Sequence, residues 1–234
     1  MSQNNLKQLN RILAALPERE YQRLEPYLTL VDLPLGTVLY EPKQEIETVY
    51  FPVSGLVSIV CTLEEGLTTE TGLIGNDGIV GIPVILGNRL SFNLIIVQVA
   101  DTAIKISAEI LKQEFDRKGE LQKLLLTYTE ARLIQVSQQA VCNRHHSIEE
   151  RLARWLLTAS DFIKSKELSL TQEFLANMLG VRRSGVTVSA GILQRAGMIS
   201  YSRGKITIVD REALENTSCE CYGYLKQEFK RLLG

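Results

Sequence analysis

The spacing of hydrophobic residues changes along the chain and predicts a helical start followed by a β-rich stretch. In residues 6–16 the apolar positions recur at helical spacing, Pro17 interrupts them, and residues 21–28 predict a second short helix. Between residues 30 and 107 the pattern becomes a series of short β-type runs separated by glycines. These runs cover residues 38–40, 49–51, 56–61, 67–74, 94–99 and 103–106. Short strands alternating with turn residues predict a sandwich or barrel such as a jelly roll.

A second change of spacing, near residue 108, leads into one long predicted helix over residues 118–143. Leu126, Leu133 and Ala140 recur every seven residues, with Val136 between them. About 25 helical residues span roughly 37 Å, which is more than one barrel needs to cover itself. The apolar seam therefore predicts a coiled-coil surface for dimerisation. The alternative is a helix that packs only on its own barrel.

The helical periodicity stops at residues 143–147, and this break predicts a domain boundary. Ser147 and Glu150 have the spacing of a capping box, which starts a new helix over residues 148–163. Three segments result: a β domain of residues 1–117, a dimerisation helix of residues 118–144 and a C-terminal domain of residues 148–234. The predicted fold class is α+β.

The C-terminal segment contains the pattern of a helix-turn-helix. Thr171 is a good N-cap for a helix over residues 172–179, and Gly180 can adopt the left-handed conformation of a sharp turn. A second helix then runs from residue 182 or 183 to residue 195, with Val186 placed to pack back on the first. Residues 199–209 read as two short strands joined by an Arg-Gly-Lys turn, which predicts the wing of a winged helix.

Charge and residue type in this segment predict contact with DNA. In a helix-turn-helix the N-terminal end of the second helix meets base edges, where arginine can bond guanine and serine or threonine can bond bases or phosphates. Eight basic and three acidic residues lie between Lys164 and Arg211, although the whole chain has a net charge of −1. The predicted DNA-binding residues are Thr171, Gln172, Arg182, Arg183, Ser184, Gly185, Thr187, Val188, Arg203 and Lys205. We expect Gly185 to let the backbone approach DNA, and Gly191 to allow close packing on a neighbouring helix.

Composition indicates the class of protein and its compartment. Hydrophobic residues make up 45% of the chain and charged residues 23%, as in a soluble globular protein. The sequence shows no signal peptide and no apolar run of the ~18 residues that a spanning helix needs, so we expect a cytoplasmic protein without membrane contact. Its four cysteines, Cys61, Cys142, Cys219 and Cys221, match neither a disulfide framework nor a zinc-finger spacing. Reduced thiols, with no cofactor and no metal site, are the favoured interpretation; a redox or metal role for Cys219 and Cys221 is the alternative.

Three segments resemble the Crp/Fnr family of bacterial transcription regulators. GTVLYEPKQEIETVYFPVSGLVSIV is similar to the early strands of its effector domain, RLARWLL to the first helix after its hinge, and LTQEFLANMLGVRRSGVTVSAGILQRAGMI to its helix-turn-helix. The resemblance covers nearly the whole chain, and the third segment is the most specific. It implies a cyclic-nucleotide-binding-like jelly roll and a homodimer on a palindromic double-stranded DNA operator, with Arg183, Ser184 and Thr187 facing bases. RNA polymerase is a further partner that the resemblance allows.

The effector site departs from the cyclic-nucleotide members of that family. They hold the ribose with a glutamate and the cyclic phosphate with an arginine, whereas Ile82 stands at the glutamate position here and the arginine position falls near Leu94. Because a buried phosphate without a cation is costly, we expect no high-affinity binding of cyclic AMP or cyclic GMP. The N-terminal cysteine cluster that the iron–sulfur branch of the family needs is not present. Haem sensing stays open, because Cys61 and the histidines at residues 145–146 are residue types that can bind haem iron. The predicted pocket for another small effector comprises Gly81, Ile82, Phe92, Leu94, Ile96, Val136 and Ser137.

An enzyme is the less favoured class. A jelly-roll enzyme of the metal-dependent cupin type needs histidine ligands on its strands, and no histidine precedes His145. A second alternative is a dimeric, effector-binding regulator that acts through protein contacts. Its binding to DNA would be weak and insensitive to salt, whereas a DNA-binding regulator shows a steep dependence on salt.

Overall fold

The computed structural model describes residues 6–234 and contains two compact units. Residues 1–5, which open the predicted β domain, lie outside the described residues. The first unit comprises the residues up to Ile59, Leu73–Leu133 and Lys230–Gly234. The second comprises Val60–Gly72 and Ile134–Phe229. Within residues 6–234, every helix is too short or too polar to cross a bilayer.

The first unit is built on two antiparallel sheets, the predicted jelly roll. Two short helices, α1 (Arg11–Ala15) and α2 (Glu18–Leu24), precede it. The strands are β1 (Thr29–Leu33), β2 (Val38–Tyr40), β3 (Thr48–Pro52), β4 (Leu56–Thr62), β5 (Thr68–Ile74), β6 (Leu94–Val99) and β7 (Asp101–Ser107). One sheet has the order β1-β7-β3 and the other β2-β6-β4-β5. The end of β4, the turn that follows it and most of β5 lie in residues 60–72, which belong to the second unit. Inward residues such as Phe51, Leu56 and Ile104 are fully buried, as alternating strands require.

Two helices follow the strands. The first, α3 (Ala108–Phe115), lies where the sequence pattern turns helical, and it begins where the Ser107 hydroxyl accepts a hydrogen bond from the Glu109 amide at 3.2 Å. The long helix α4 (Glu120–His145) is the helix predicted over residues 118–143. Its first turn is capped by the Glu20 carboxylate, which accepts hydrogen bonds from the Glu120 and Leu121 amides at 3.0 Å each.

The second unit contains the predicted winged helix-turn-helix and two elements after it. Its elements are α5 (Ile148–Ile163), β8 (Glu167–Ser169), α6 (Gln172–Leu179), α7 (Arg183–Arg195), β9 (Ile199–Ser202), β10 (Lys205–Ile208), α8 (Arg211–Thr217) and α9 (Cys221–Leu233). The three strands form one antiparallel sheet in the order β8-β10-β9. Trp155 of α5 is buried and donates a hydrogen bond from its indole nitrogen to Glu70 at 2.9 Å. This bond ties the segment of residues 60–72 to α5 within the second unit.

The division into units differs from the boundary drawn at residues 143–147. That break does separate α4 from α5, and the Ser147–Glu150 capping box is present. The units themselves divide within α4, after Leu133. The reason is that the last turns of α4 pack on the second unit, where Cys142 is buried together with Cys219 and Cys221.

Candidate nucleic-acid interface

The sharp turn between α6 and α7 is fixed by its backbone and its packing. Gly180 has φ 62° and ψ 42°, the left-handed conformation that glycine adopts without strain. A Cβ atom here would also lie 2.5 Å from the Thr69 hydroxyl, so the position is closed to larger residues. At the other end of α6 the Thr171 hydroxyl caps the helix by accepting a hydrogen bond from the Phe174 amide at 3.1 Å.

Helix α7 has a buried face and an exposed face. Val186, Ser189, Ala190 and Leu193 are buried, which holds the helix against the rest of the unit. The opposite face is exposed and carries Arg183, Ser184, Thr187 and Val188, with Arg182 as the N-cap. The predicted base-reading residues therefore share one exposed face at the start of α7.

Thr187 and Gln172 connect the starts of the two helices. The Thr187 hydroxyl lies 2.8 Å from the Gln172 side-chain oxygen and 3.1 Å from the Arg183 carbonyl oxygen. Each of the two predicted DNA-binding side chains therefore fixes the orientation of the other. A base or phosphate that binds either of them has to compete with this hydrogen bond.

Two glycines of α7 have roles other than those the sequence predicted. Gly185 does not give the backbone access to DNA, because its missing side chain would point at α5, where a Cβ would lie 2.8 Å from the Ile148 Cδ1 atom. Gly191 does not pack against a neighbouring helix. Among the described residues, the atom that a Cβ there would approach is Nη1 of Arg195 in the same helix, at 3.4 Å.

The wing is a tight hairpin with a basic tip. Arg203 and Gly204 both have positive φ, 48° and 78°, as a two-residue turn between right-twisted strands requires. Arg203 is exposed at the tip. Lys205 is also exposed, and its ammonium lies 2.5 Å from the Glu167 carboxylate on β8, so a phosphate would have to compete with this ion pair.

A cleft of about 310 Å³ lies where the wing, the start of α6 and the start of α7 meet. It is lined by Thr171, Gln172, Arg183, Tyr201, Arg203 and Gly204. Two arginines and the positive end of the α6 dipole make this cleft suited to an anion such as a backbone phosphate. Four of the predicted DNA-binding residues are thus brought to one place.

Tyr201 is a lining residue that the sequence reasoning missed. Its hydroxyl donates to the Leu170 carbonyl oxygen at 3.1 Å, and its amide donates to the Gln194 side chain at 2.7 Å. Burial raises the pKa of Tyr201, and the positive charge of Arg183 opposes that rise. The signal available in the sequence was an aromatic residue in the wing strand that alternates with outward-facing serines.

A charged cluster behind the recognition elements joins α5, α8 and α9. Asp161 accepts hydrogen bonds from Arg211 at 2.7 Å and from the Tyr222 hydroxyl at 2.6 Å. Burial by itself would raise the pKa of Asp161, but these two hydrogen bonds and the charge of Arg211 lower it below its usual value. The carboxylate therefore stays ionised and ties the three helices together.

The comparisons with known proteins agree with this geometry. Residues 150–217 match the sequence profile of the Crp-like helix-turn-helix domain. The C-terminal part of the chain is therefore a Crp-like helix-turn-helix domain. Over 187 residues it is 25% identical to a global nitrogen regulator from Synechocystis sp., covering 75% of this chain and 82% of that protein.

Two solved structures share the fold of this chain. One is a Crp/Fnr family transcriptional regulator from Eubacterium rectale, with a TM-score of 0.71 at 22% identity, over 88% of this chain and 96% of the other. The second is FixK2 from Bradyrhizobium japonicum, with a TM-score of 0.70 at 15% identity, over 82% and 98% of the two chains.

The predicted effector residues belong to both units. Gly81 is buried with φ 123°, and Ile82 opens a short 3-10 helix behind it. Phe92 is 69% exposed, and Leu94 and Ile96 on β6 are half-buried. Val136 and Ser137 are exposed on the part of α4 that belongs to the second unit.

Proposed function

We propose that this chain is a transcription regulator of the Crp/Fnr type that binds a palindromic double-stranded DNA operator as a homodimer, and that an effector other than a cyclic nucleotide controls it. One observation carries the DNA part of the proposal. The exposed face of α7 ends in a cleft that combines Arg183, Arg203 and the positive end of the α6 dipole. A helix lying in the major groove would place base-reading side chains and phosphate-binding groups in this arrangement.

Each predicted DNA-binding residue has a role in this proposal. Arg183 is expected to reach a base edge, since it stands in the first turn of the exposed face. Thr171, Gln172, Arg203 and the Tyr201 hydroxyl surround the expected phosphate. The remaining predicted contacts are Arg182, Ser184, Thr187, Val188 and Lys205. The glycine at position 185 acts by letting α7 pack on α5 and not by touching DNA.

The dimer is supported by the apolar seam of α4. Leu126, Leu133 and Val136 are 47%, 65% and 45% exposed, and Ala140 is exposed on the same seam. These apolar side chains are exposed to solvent on a helix about 39 Å long. Such an exposed apolar surface is expected to be covered by the same helix of a second copy. Two copies would present two α7 helices, which in a dimer on DNA lie roughly 34 Å apart.

The proposal of an effector other than a cyclic nucleotide rests on the jelly roll, which has no carboxylate at the ribose-binding position. Ile82, in place of a carboxylate, offers nothing that could hold a ribose hydroxyl. The proposed effector is therefore a small molecule of more apolar character, in contact with the residues around β6. RNA polymerase is a further proposed partner, and the cytoplasm is the proposed place of action because the DNA is there. The names of the relatives support transcription regulation as the process.

The experiment that tests DNA recognition begins with selection of bound sites from random DNA by the full-length protein. Binding of the selected operator is then measured by fluorescence anisotropy for the wild type and for Arg183→Ala. We expect the variant to lose about 1–3 kcal/mol per half-site and to tolerate changes at one base pair. Arg195→Ala, at the far end of the same helix, is the matched control and should bind like the wild type.

Two results would contradict the proposal. Unchanged affinity and specificity in Arg183→Ala would remove α7 as the reading helix. Weak binding that does not respond to salt would favour the alternative, a regulator that acts through protein contacts.

A further inference from the structure

Three cysteines and one histidine, far apart in the sequence, meet at the end of α4. Cys142 and His146 are one helical turn apart, and the His146 amide still donates to the Cys142 carbonyl oxygen at 3.1 Å. Cys219 lies in the link between α8 and α9, and Cys221 is the first residue of α9. The three Sγ atoms and one imidazole nitrogen all lie within 4.8 Å of one another.

The distances fit a single metal ion with four ligands. Zinc binds sulfur at about 2.3 Å and imidazole nitrogen at about 2.0–2.1 Å, so a tetrahedron has edges of about 3.8 Å between two sulfurs and about 3.6 Å between sulfur and nitrogen. The Cys142 and Cys219 sulfurs are 3.6 Å apart, and the Cys221 sulfur is 3.6 Å from His146 Nδ1. An iron–sulfur cluster places several atoms between its ligands and needs wider separations.

The surroundings of the four residues also suit a metal ion. His146 Nε2 lies 3.1 Å from the Glu220 carboxylate, so the histidine turns its other nitrogen, Nδ1, toward the sulfurs. A carboxylate behind a ligating histidine fixes its orientation and raises its basicity. The Gln138 amide donates to the Cys221 sulfur at 3.1 Å, which supports the charge of a thiolate.

Two buried arginines next to the cluster supply the charge that thiolates require. Arg151 and Arg154 are each 6% exposed, and within residues 6–234 three of their nitrogen atoms have no hydrogen-bond partner: Nε of Arg151, and Nε and Nη2 of Arg154. Three thiolates and one divalent cation carry a net charge of −1, which these arginines can balance.

We propose that Cys142, His146, Cys219 and Cys221 bind one zinc ion in a closed, tetrahedral structural site. All four positions come from the protein, which is the arrangement of structural zinc sites and leaves no open position for a catalytic water. The ion fastens the α8–α9 link to the end of α4, within the second unit. This inference stands apart from the proposed function, because it concerns metal binding by the free protein.

The test uses the full-length protein, purified under reducing conditions without chelator. Mass spectrometry should find one zinc per chain. After removal of the zinc by chelator, titration with Co²⁺ should saturate at one equivalent and give the visible absorption of tetrahedral cobalt and a thiolate charge-transfer band. Cys142→Ser and His146→Gln should weaken Co²⁺ binding more than about a hundredfold, which exceeds the usual effect of losing an outer-shell partner.

The sequence offers matched controls for both substitutions. Cys61→Ser replaces an exposed cysteine outside the cluster, and His145→Gln replaces the adjacent exposed histidine. Both should bind Co²⁺ like the wild type. Glu220→Gln removes the carboxylate behind His146 without removing a ligand, and it should weaken Co²⁺ binding about tenfold. That variant covers the case in which a ligand variant fails to fold.

Several results would overturn the proposal. The first is a reduced protein without zinc whose Co²⁺ spectrum lacks the thiolate band. The second is iron with inorganic sulfide in the purified protein, which would mean a cluster. The third is a Cys142–Cys219 disulfide in place of the metal. Equal Co²⁺ affinity in the cluster variants and the control variants would also refute it.

Discussion

The two cations of the wing are in different states, and this difference gives a prediction about DNA binding. Arg203 at the tip makes no ion pair within residues 6–234, whereas Lys205 is paired with Glu167 at 2.5 Å. Glu167→Gln removes the negative charge and keeps the shape of the side chain. We expect the variant to bind DNA more tightly than the wild type, because Lys205 is then free to approach a phosphate.

The magnitude follows from the exposure of the pair. The Lys205 and Glu167 side chains are 53% and 56% exposed, and an ion pair this open stabilises by no more than about 1 kcal/mol. The gain in DNA affinity should therefore stay below about 1 kcal/mol per protomer. The plot of log affinity against log salt should steepen by about 0.9 per protomer, since one more phosphate is neutralised. Arg203→Ala should make the slope shallower by a similar amount.

The assay is fluorescence anisotropy of a labelled operator duplex at a series of KCl concentrations. Glu109→Gln is the matched control, because it changes the net charge equally at an exposed site on α3, outside the winged domain. Its slope should equal that of the wild type. Identical slopes for Glu167→Gln, Arg203→Ala and the control would refute a role of the wing in phosphate binding.

Two further predictions concern stability and assembly. Gly191→Ala should raise the free energy of unfolding by about 0.5–1 kcal/mol, since a Cβ there meets its nearest atom at an acceptable 3.4 Å. The free energy of unfolding of Gly185→Ala should be lower than that of Gly191→Ala, because the added Cβ would press on Ile148. Urea denaturation that ranks the two variants in the opposite order would contradict this prediction. Leu133→Glu should convert the proposed dimer to a folded monomer in sedimentation experiments. Val209→Glu is the control, because it changes a similarly exposed apolar residue outside the seam, and it should leave the dimer intact. A Leu133→Glu dimer of unchanged affinity would show that the seam is not the dimer interface.

Elements with a strong local pattern could be predicted from the sequence. The helix over residues 148–163, the helix over residues 172–179 and the strand over residues 94–99 have the predicted bounds, and α4 differs by two residues at each end. In each case the apolar spacing lies within the element itself, and the two shorter helices are each preceded by their capping residue. The strands β1 and β8 were missed because they are short or largely exposed, so their pairing partners and not their own patterns define them.

The same distinction applies to the sites. The exposed face of α7 was predictable because a helix places Arg183 and Thr187 on one side whatever surrounds it. The contact of Gly185 with Ile148 was not predictable, since it depends on how α5 packs. The cysteine–histidine cluster combines residues of the chain that are more than seventy positions apart. The spacing of Cys142 and His146 on one helix face was the signal that could have identified it.

The turn at the tip of the wing has a consequence for how this protein can change by mutation. Arg203 has φ 48°, a left-handed conformation that costs an arginine roughly 1–2 kcal/mol and a glycine almost nothing. Selection for a stable fold alone would therefore remove the arginine. If the tip binds a phosphate as proposed, selection for DNA affinity keeps it. Stability and DNA binding favour different residues at this position. Variants selected for heat resistance are therefore expected to replace Arg203 early and to bind DNA more weakly as a result.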